Sequence, residues 1–172
     1  THVLMSGVQG AGKTVLLRSM ALSLALHNKP SRLQMVVVDG DAAADPIRAQ
    51  ELRPLNYLPH LLTPVVDNLT TAREVLTFLV NEINYRKEQA VRTPAIVVML
   101  DGADYLLTEG GKDVPEAVRQ LVQNGAAAGL HVILSTDKPE ATYLDNLFKA
   151  SFPARIVGKA VDAAAARAAS GV

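Results

Sequence analysis

The chain has 172 residues, with 17 Lys and Arg against 17 Asp and Glu, so its formal net charge is zero. With 49% apolar and 20% charged residues it is not a disordered, self-repelling polymer, and one domain with a sizeable core is expected over residues 1–172. The lack of cysteine excludes a disulfide scaffold, a cysteine zinc site and a thiol nucleophile, while balanced charge and 4% aromatics argue against an all-round nucleic-acid grip or a base-stacking platform. The longest apolar run, Ala95 to Leu100, is too short to cross a bilayer, and no signal segment is visible, so a soluble cytoplasmic chain is expected. An opening at Thr1 that enters an apolar run within two residues reads as a piece of a longer protein.

Short apolar runs alternate with longer helical patterns, the signature of a parallel sheet with crossover helices. His2 to Ser6 reads as the first strand and Thr14 to His27 as the first helix. That helix carries Val15, Leu16, Leu17, Met20, Leu22, Leu24 and Leu26 on nearly every face, so burial on more than one side is expected. Leu33 to Asp39, rich in Val and without alternation, reads as a central strand covered on both faces. Gly40 to Pro59 has no clear period and holds Pro46, Pro54 and Pro59; it is expected to be an irregular excursion with a helix at Ile47 to Leu52. His60 to Val66 reads as a further strand.

Thr71 and Glu74 form a capping-box pattern ahead of a helix running to about Ala90, with Arg86, Lys87 and Arg92 at its solvated end. Ala95 to Asp101 is the next strand, and Glu109 to Lys112 is a turn-like surface segment. Asp113 and Glu116 form a second capping-box pattern, opening a helix with Val118, Leu121 and Val122 on its apolar face that Gly129 stops. His131 to Ser135 (strand), Ala141 to Lys149 (short helix), Ala154 to Lys159 (strand) and an alanine-rich helix opened by Asp162 complete the chain. His60 and His131, at strand starts, read as structural histidines.

Gly7-Val8-Gln9-Gly10-Ala11-Gly12-Lys13-Thr14 matches the phosphate-loop pattern G-x-x-x-x-G-K-[ST], between the first strand and the first helix. The glycines allow backbone N–H groups to turn inward around phosphate oxygens, and the helix N-terminus adds partial positive charge. Lys13 is expected to reach the β- and γ-phosphates of ATP, and Thr14 to give its hydroxyl to Mg²⁺. Such a site needs an acidic residue at a neighbouring strand end. Asp39 and Asp101 both qualify, either could instead be a helix cap, and spacing does not choose between them.

At these residues the chain resembles the FtsK/SpoIIIE family of ring-forming DNA translocases. The resemblance runs through His2 to Thr14, Leu58 to Val66, the strand ending at Asp101, Ala127 to Leu134 and Phe152 to Ile156. It implies an α/β P-loop fold of the RecA-like class, with a mostly parallel sheet and helices on both faces. It also implies an ATP- and Mg²⁺-dependent motor acting on double-stranded DNA, assembled as a homo-oligomeric, hexameric ring within a longer, membrane-anchored parent, and it gives the Mg²⁺-holding role to Asp101. In such a ring, Glu109 to Lys112 is a candidate DNA-facing tip.

The departures from the family are specific. Its water-polarising Glu after Asp101 is Gly102 here, and the nearest following carboxylate is Asp104, which could serve only if the turn were remodelled. Its finger arginine is Ala126, its γ-phosphate-sensing Gln is Asp137, and its Lys after the second strand is missing from Asp39-Gly40-Asp41. Arg119 and Arg155 are the alternative sources of positive charge. Loss of finger and base predicts nucleotide binding with most of the rate removed, because a finger is worth about 10³ to 10⁵ in turnover. The alternative reading is a catalytically silent assembly module, like the degenerate domains of type VII secretion ATPases.

Overall fold

The computed structural model describes residues 1–45, 47, 51–145 and 149–171. Five strands, β1 (Val3–Ser6), β2 (Leu33–Asp39), β3 (Ala95–Asp101), β4 (Leu130–Thr136) and β5 (Ala154–Val157), make one sheet in the order β2-β3-β4-β1-β5. All four pairings are parallel. The helices are α1 (Lys13–His27), α2 (Gly40–Ala44), α3 (Leu69–Glu88), α4 (Ala103–Glu109), α5 (Asp113–Asn124) and α6 (Ala163–Ser170), with 3₁₀ turns at Arg53–Tyr57 and Gly125–Ala128.

Because successive strand residues point to opposite faces, the unbroken apolar runs of β2 and β3 feed two cores. Val36, Val38, Val98 and Leu100 pack with residues of α3, α4 and α5, while Met35, Val37, Val97 and Met99 pack with α1, Leu52 and Leu55. The expected class, a parallel sheet with helices on both faces, is the one observed.

Several local expectations are corrected. β2 is not central but last in the sheet order. It is nevertheless covered on both faces, and the 60–66 segment closes its outer edge: Met35 N donates to His60 O (2.8 Å) and Asp39 N to Val66 O (2.8 Å). That segment is not a continuous strand but two parallel bridges, at Leu61 and Val66, because Pro64 between them has no N–H to donate. The first helix is buried on one side only, through Leu17 and Ala21. No described element lies over its far side, where Val15 is 51% and Leu26 83% exposed.

The capping-box readings fail for a common reason: a better acceptor lies upstream or the proposed cap is already helical. Asn68 caps α3 by accepting from Thr71 N (2.9 Å), placing Thr71 inside the helix. Asp113 is the first helical residue of α5, and its carboxylate faces Arg73 at 3.9 Å. Arg86 is buried, not solvated; it donates to Glu82 (2.7 Å), Pro94 O (2.7 Å) and Ala128 O (3.3 Å), tying α3 to the chain around β3 and β4. Arg73 donates to Gly110 O (3.3 Å), pinning the Glu109 to Lys112 turn to α3. The helices expected at Ile47 to Leu52 and Ala141 to Lys149 include positions outside the described residues. The expected strand to Lys159 ends at Val157, and the Asp162 cap of the last helix is present, accepting from Ala165 N (2.8 Å). His60 donates through Nε2 to Asn28 O (2.8 Å), a structural role.

Candidate functional site

At the C-terminal end of β1 the chain must reverse into α1 within a few residues. Gly10 and Gly12 carry that path at φ of 80° and 83°, the left-handed region in which a side chain is strained. Gly7 N, Val8 N and Ala11 N bond within the protein, to Thr136 O, Lys159 O and Val8 O. Among the described residues nothing accepts the N–H of Gly10, Gly12, Lys13 or Thr14, and these residues line one wall of a cleft of about 520 Å³. Unpaired N–H groups at the start of a helix, facing open space, form an anion cradle.

Lys13 folds back over the loop. Its Nζ donates to Gly7 O (2.9 Å) and Val8 O (3.2 Å) and pairs with Asp137 Oδ1 (2.5 Å), so all three ammonium hydrogens have acceptors. The opposite wall is acidic. Asp39, Asp41, Glu51, Asp101 and Asp137 face the same cleft. A polyphosphate entering there meets several carboxylates and one lysine, an arrangement that requires an accompanying cation.

The two candidate cation ligands differ. Asp39, at the end of β2, accepts from Ala42 N (2.8 Å) and thereby caps α2. Burial raises its carboxyl from the ordinary carboxylate range to about 6, with the Ala42 bond opposing the rise and Asp101 adding to it. Asp101, beside it in register, is only 1% exposed. Its Oδ1 accepts a short bond from Ser135 Oγ, while its Oδ2 is buried without a partner. An orphaned carboxylate oxygen is costly unless something cationic or hydrated completes it. Among the described residues no three carboxylate or imidazole groups form a metal cage of their own. Thr14 and Asp101 therefore suit Mg²⁺, which keeps waters and phosphate oxygens as its other ligands.

Of the expected residues, Gln9, Gly10, Gly12, Lys13, Thr14 and Asp101 line the cleft together, Gly7, Val8 and Ala11 do not and spend their N–H groups on the protein, and Asp104 does not join them. Its carboxylate accepts from Thr136 Oγ1 (2.5 Å), Asp137 N (2.7 Å) and, by a short bond, the Tyr143 hydroxyl, which fastens the β3 exit to the β4 exit. Ala126 lies in the turn before β4, at the end of the sheet away from the cleft. Arg119 pairs with Asp145 (2.9 Å) and Arg155 donates to Phe152 O, Ala169 O and Lys149 O; neither lines the cleft.

Three neighbours of the site were not legible from local patterns. Ser135 is signalled only by the register that puts the end of β4 beside Asp101. Glu51 arrives from the excursion after α2. Asp41 approaches Gly102 so closely that a Cβ on that glycine would lie 2.5 Å from Asp41 Oδ1 and 2.6 Å from its backbone N. Gly102 also has φ of 57°.

With this geometry in view, comparison with known proteins gives a consistent picture. The sequence pattern of the FtsK/SpoIIIE family matches residues 1–93. A DNA translocase FtsK of Campylobacter jejuni is 32% identical across 94% of this chain, which corresponds to 19% of that protein; the chain spans about a fifth of the length of the curated relatives it matches. Among solved structures, the cytoplasmic domain of EssC superposes with a TM-score of 0.80 at 22% identity, covering 96% of this chain and 34% of that one. The conjugation coupling protein TcpA of pCW3, in its monomer form with ATPγS, gives 0.76 at 21% identity, covering 98% and 51%. These structural likenesses bear on the fold.

Proposed function

Because the chain belongs to the FtsK/SpoIIIE family, we propose that its cleft binds Mg²⁺ with ATP or ADP and that it works as the motor domain of a DNA translocase. The observation that carries this reading is the loop from Gly7 to Thr14, where the N–H groups of Gly10, Gly12, Lys13 and Thr14 have no acceptor among the described residues, together with the buried Oδ2 of Asp101, which has no partner among them either. In this reading the loop amides and Lys13 hold the phosphates, and Thr14 and Asp101 hold Mg²⁺, which neutralises charge on the β- and γ-oxygens. Lys13 must exchange Asp137 for phosphate when nucleotide enters. Turnover is low, because the finger position is Ala126 and the sensor position is Asp137.

The proposed setting is a homo-oligomeric, hexameric ring on double-stranded DNA, within a cytoplasmic part of a longer protein. Among the described residues no helix is long and apolar enough to cross a membrane. The exposed stripe of Val15, Leu16, Leu22 and Leu26 on α1 supports association, since contiguous apolar surface marks contact sites. Ala126 lies at the end of the sheet away from its own cleft and carries no charge to offer a neighbouring copy.

The test is ligand-dependent stability. A ligand at about 100 times its Kd that binds only the folded state adds about 2.7 kcal/mol, so saturating Mg²⁺-ATP or Mg²⁺-ADP raises the melting temperature and Lys13→Ala removes the rise. No rise in the wild type at millimolar nucleotide would refute the reading. DNA dependence is read from turnover with and without duplex, and any stimulation falls steeply with salt as phosphate contacts release counterions. Binding with turnover no greater than that of Lys13→Ala would instead support the silent assembly module, a reading favoured by the glycine at 102.

A further inference from the structure

We infer that the cleft prefers a nucleoside diphosphate to the triphosphate and that the carboxylate of Asp137 sets this preference, an inference that deepens the nucleotide reading above and rests on it.

Register brings the acid to the loop. β1 and β4 are paired with Ser6 beside Thr136, so Gly7 and Asp137 leave the sheet side by side, and Gly7 N donates to Thr136 O across the gap (3.3 Å). The main chain around Asp137 is then fixed from behind. Asp137 N donates to Asp104 Oδ2 (2.7 Å), Thr136 Oγ1 to Asp104 Oδ1 (2.5 Å) and Lys138 N to Thr136 Oγ1 (3.0 Å), and the Tyr143 hydroxyl adds a short bond to Asp104. Asp104 is thus a positioning residue: it holds the start of the segment after β4 so that the Asp137 side chain reaches Lys13 Nζ (2.5 Å). Asp39, Asp41, Glu51 and Asp101 line the same cleft, but Asp137 is the acid placed on the ammonium that must receive phosphate.

Lys13 Nζ is also bonded to Gly7 O (2.9 Å) and Val8 O (3.2 Å), which puts it at the strand end of the loop. The N–H groups without an acceptor among the described residues belong to Gly10, Gly12, Lys13 and Thr14, at the helix end. A diphosphate seated on those amides meets Lys13 only at its outer phosphate. A third phosphate extends towards the strand exits, because Mg²⁺ held by Thr14 and Asp101 bridges the β- and γ-oxygens, and there it comes up against Asp137. When either nucleotide takes Nζ, the carboxylate is released from the ammonium but stays beside the site, its main chain tied to Asp104. ADP leaves that corner to water. ATP adds a further negative charge to it, and at a side chain that is 40% exposed two like charges about 5 Å apart repel by an amount that corresponds to about tenfold in affinity.

The experiment is calorimetric titration of Mg²⁺-ADP and of Mg²⁺-ATPγS, a slowly hydrolysed triphosphate, into the same proteins at one salt concentration. Wild type binds ADP about tenfold more tightly than ATPγS. Asp137→Asn binds both more tightly, ADP by about tenfold and ATPγS by about a hundredfold, so the preference disappears. Asp137→Ser loses the preference in the same way and serves if Asp137→Asn does not fold, while Asp137→Glu, which keeps the charge, keeps the preference. The ratio of the two affinities is the readout, because a merely structural change at the β4 exit moves both together. ATPγS binding as tight as that of ADP in the wild type overturns the inference, and so does an Asp137→Asn protein with the wild-type ratio. Binding of neither nucleotide to the wild type is a different result: it removes the nucleotide reading, and the preference with it.

Discussion

The exit of β1 and the exits of β2 and β3 stand across one cleft, and they hold to the family's pattern to different degrees. At the β1 exit every residue type of the phosphate loop is present, and the backbone takes up the shape those types allow. Across the cleft the acid Asp101 remains, but its follower is glycine, the preceding strand ends in Asp39-Gly40-Asp41, and Asp137 has come to face Lys13. The difference teaches which contacts serve which step. Loop contacts are made to bound nucleotide and transition state alike, whereas an aligned water is used only in the transition state. A domain can therefore keep the first set while departing from the pattern in the second.

The largest expected effect comes from forcing the second region back to the family pattern. Gly102→Glu places a side chain at φ of 57°, on top of the Asp41 backbone. Left-handed strain and overpacking together cost about 3 to 4 kcal/mol, so urea denaturation reads a large loss of stability and no gain in turnover. A stable, faster Gly102→Glu protein would show that the β2 and β3 exits are not built around that glycine.

Acidity sharpens the comparison next. Burial holds the Asp39 carboxyl at about 6; a raised carboxyl favours the fold fully below its unfolded value near 3.8 and loses that contribution as pH rises through about 6. At the other end of the sheet, His2 is pushed down to about 4, chiefly by burial, and its Nδ1 accepts from Val132 N (2.9 Å). Its neutral form favours the fold fully above the unfolded value near 6.5 and loses that contribution as pH falls toward 4. The two slopes oppose each other between about pH 4 and 6, each worth about 3 kcal/mol over its full range. Chemical denaturation across this window, without nucleotide, reads Asp39→Asn as losing stability relative to wild type on the acid side, and His2→Asn as gaining it.

A smaller change follows at Lys13. Asp137→Asn keeps the size of the side chain and removes the charge that nucleotide must displace. Because Asp137 is 40% exposed, the gain is modest, about tenfold in nucleotide affinity or about 1.4 kcal/mol, measured by calorimetric titration with Mg²⁺-ADP. Unchanged affinity would mean that the pair offers no resistance. The smallest effect on stability, within about 0.5 kcal/mol, is expected for Leu26→Lys on the exposed face of α1, where sedimentation reads reduced self-association.

What was legible follows from range. The phosphate loop is a contiguous pattern, and the apolar runs of β3 and β4 carry their own signal, so the parallel sheet and the site's phosphate side emerge from local reading. The order that puts β2 at the edge depends on pairing between distant segments. The same is true of Ser135 beside Asp101 and of Asp41 against Gly102. Arg86 misleads for a related reason: a cation at a helix end is usually solvated, and only the tertiary fold brings the Pro94 and Ala128 carbonyls to it. The short helices α2 and α4 offer too few residues to establish a period.

The sheet has one sealed margin and one open margin. The 60–66 segment seals the β2 side, while β5 pairs only with β1 and leaves its outer backbone groups without a strand among the described residues. The margin with backbone groups open to pairing is thus β5. Just past β5, Gly158 N donates to Ser6 O (2.7 Å) and Val8 N donates to Lys159 O (2.8 Å). Alongside its pairing with β1, these two bonds tie the end of β5 to the entrance of the phosphate loop, so disturbance of the open margin bears directly on the loop.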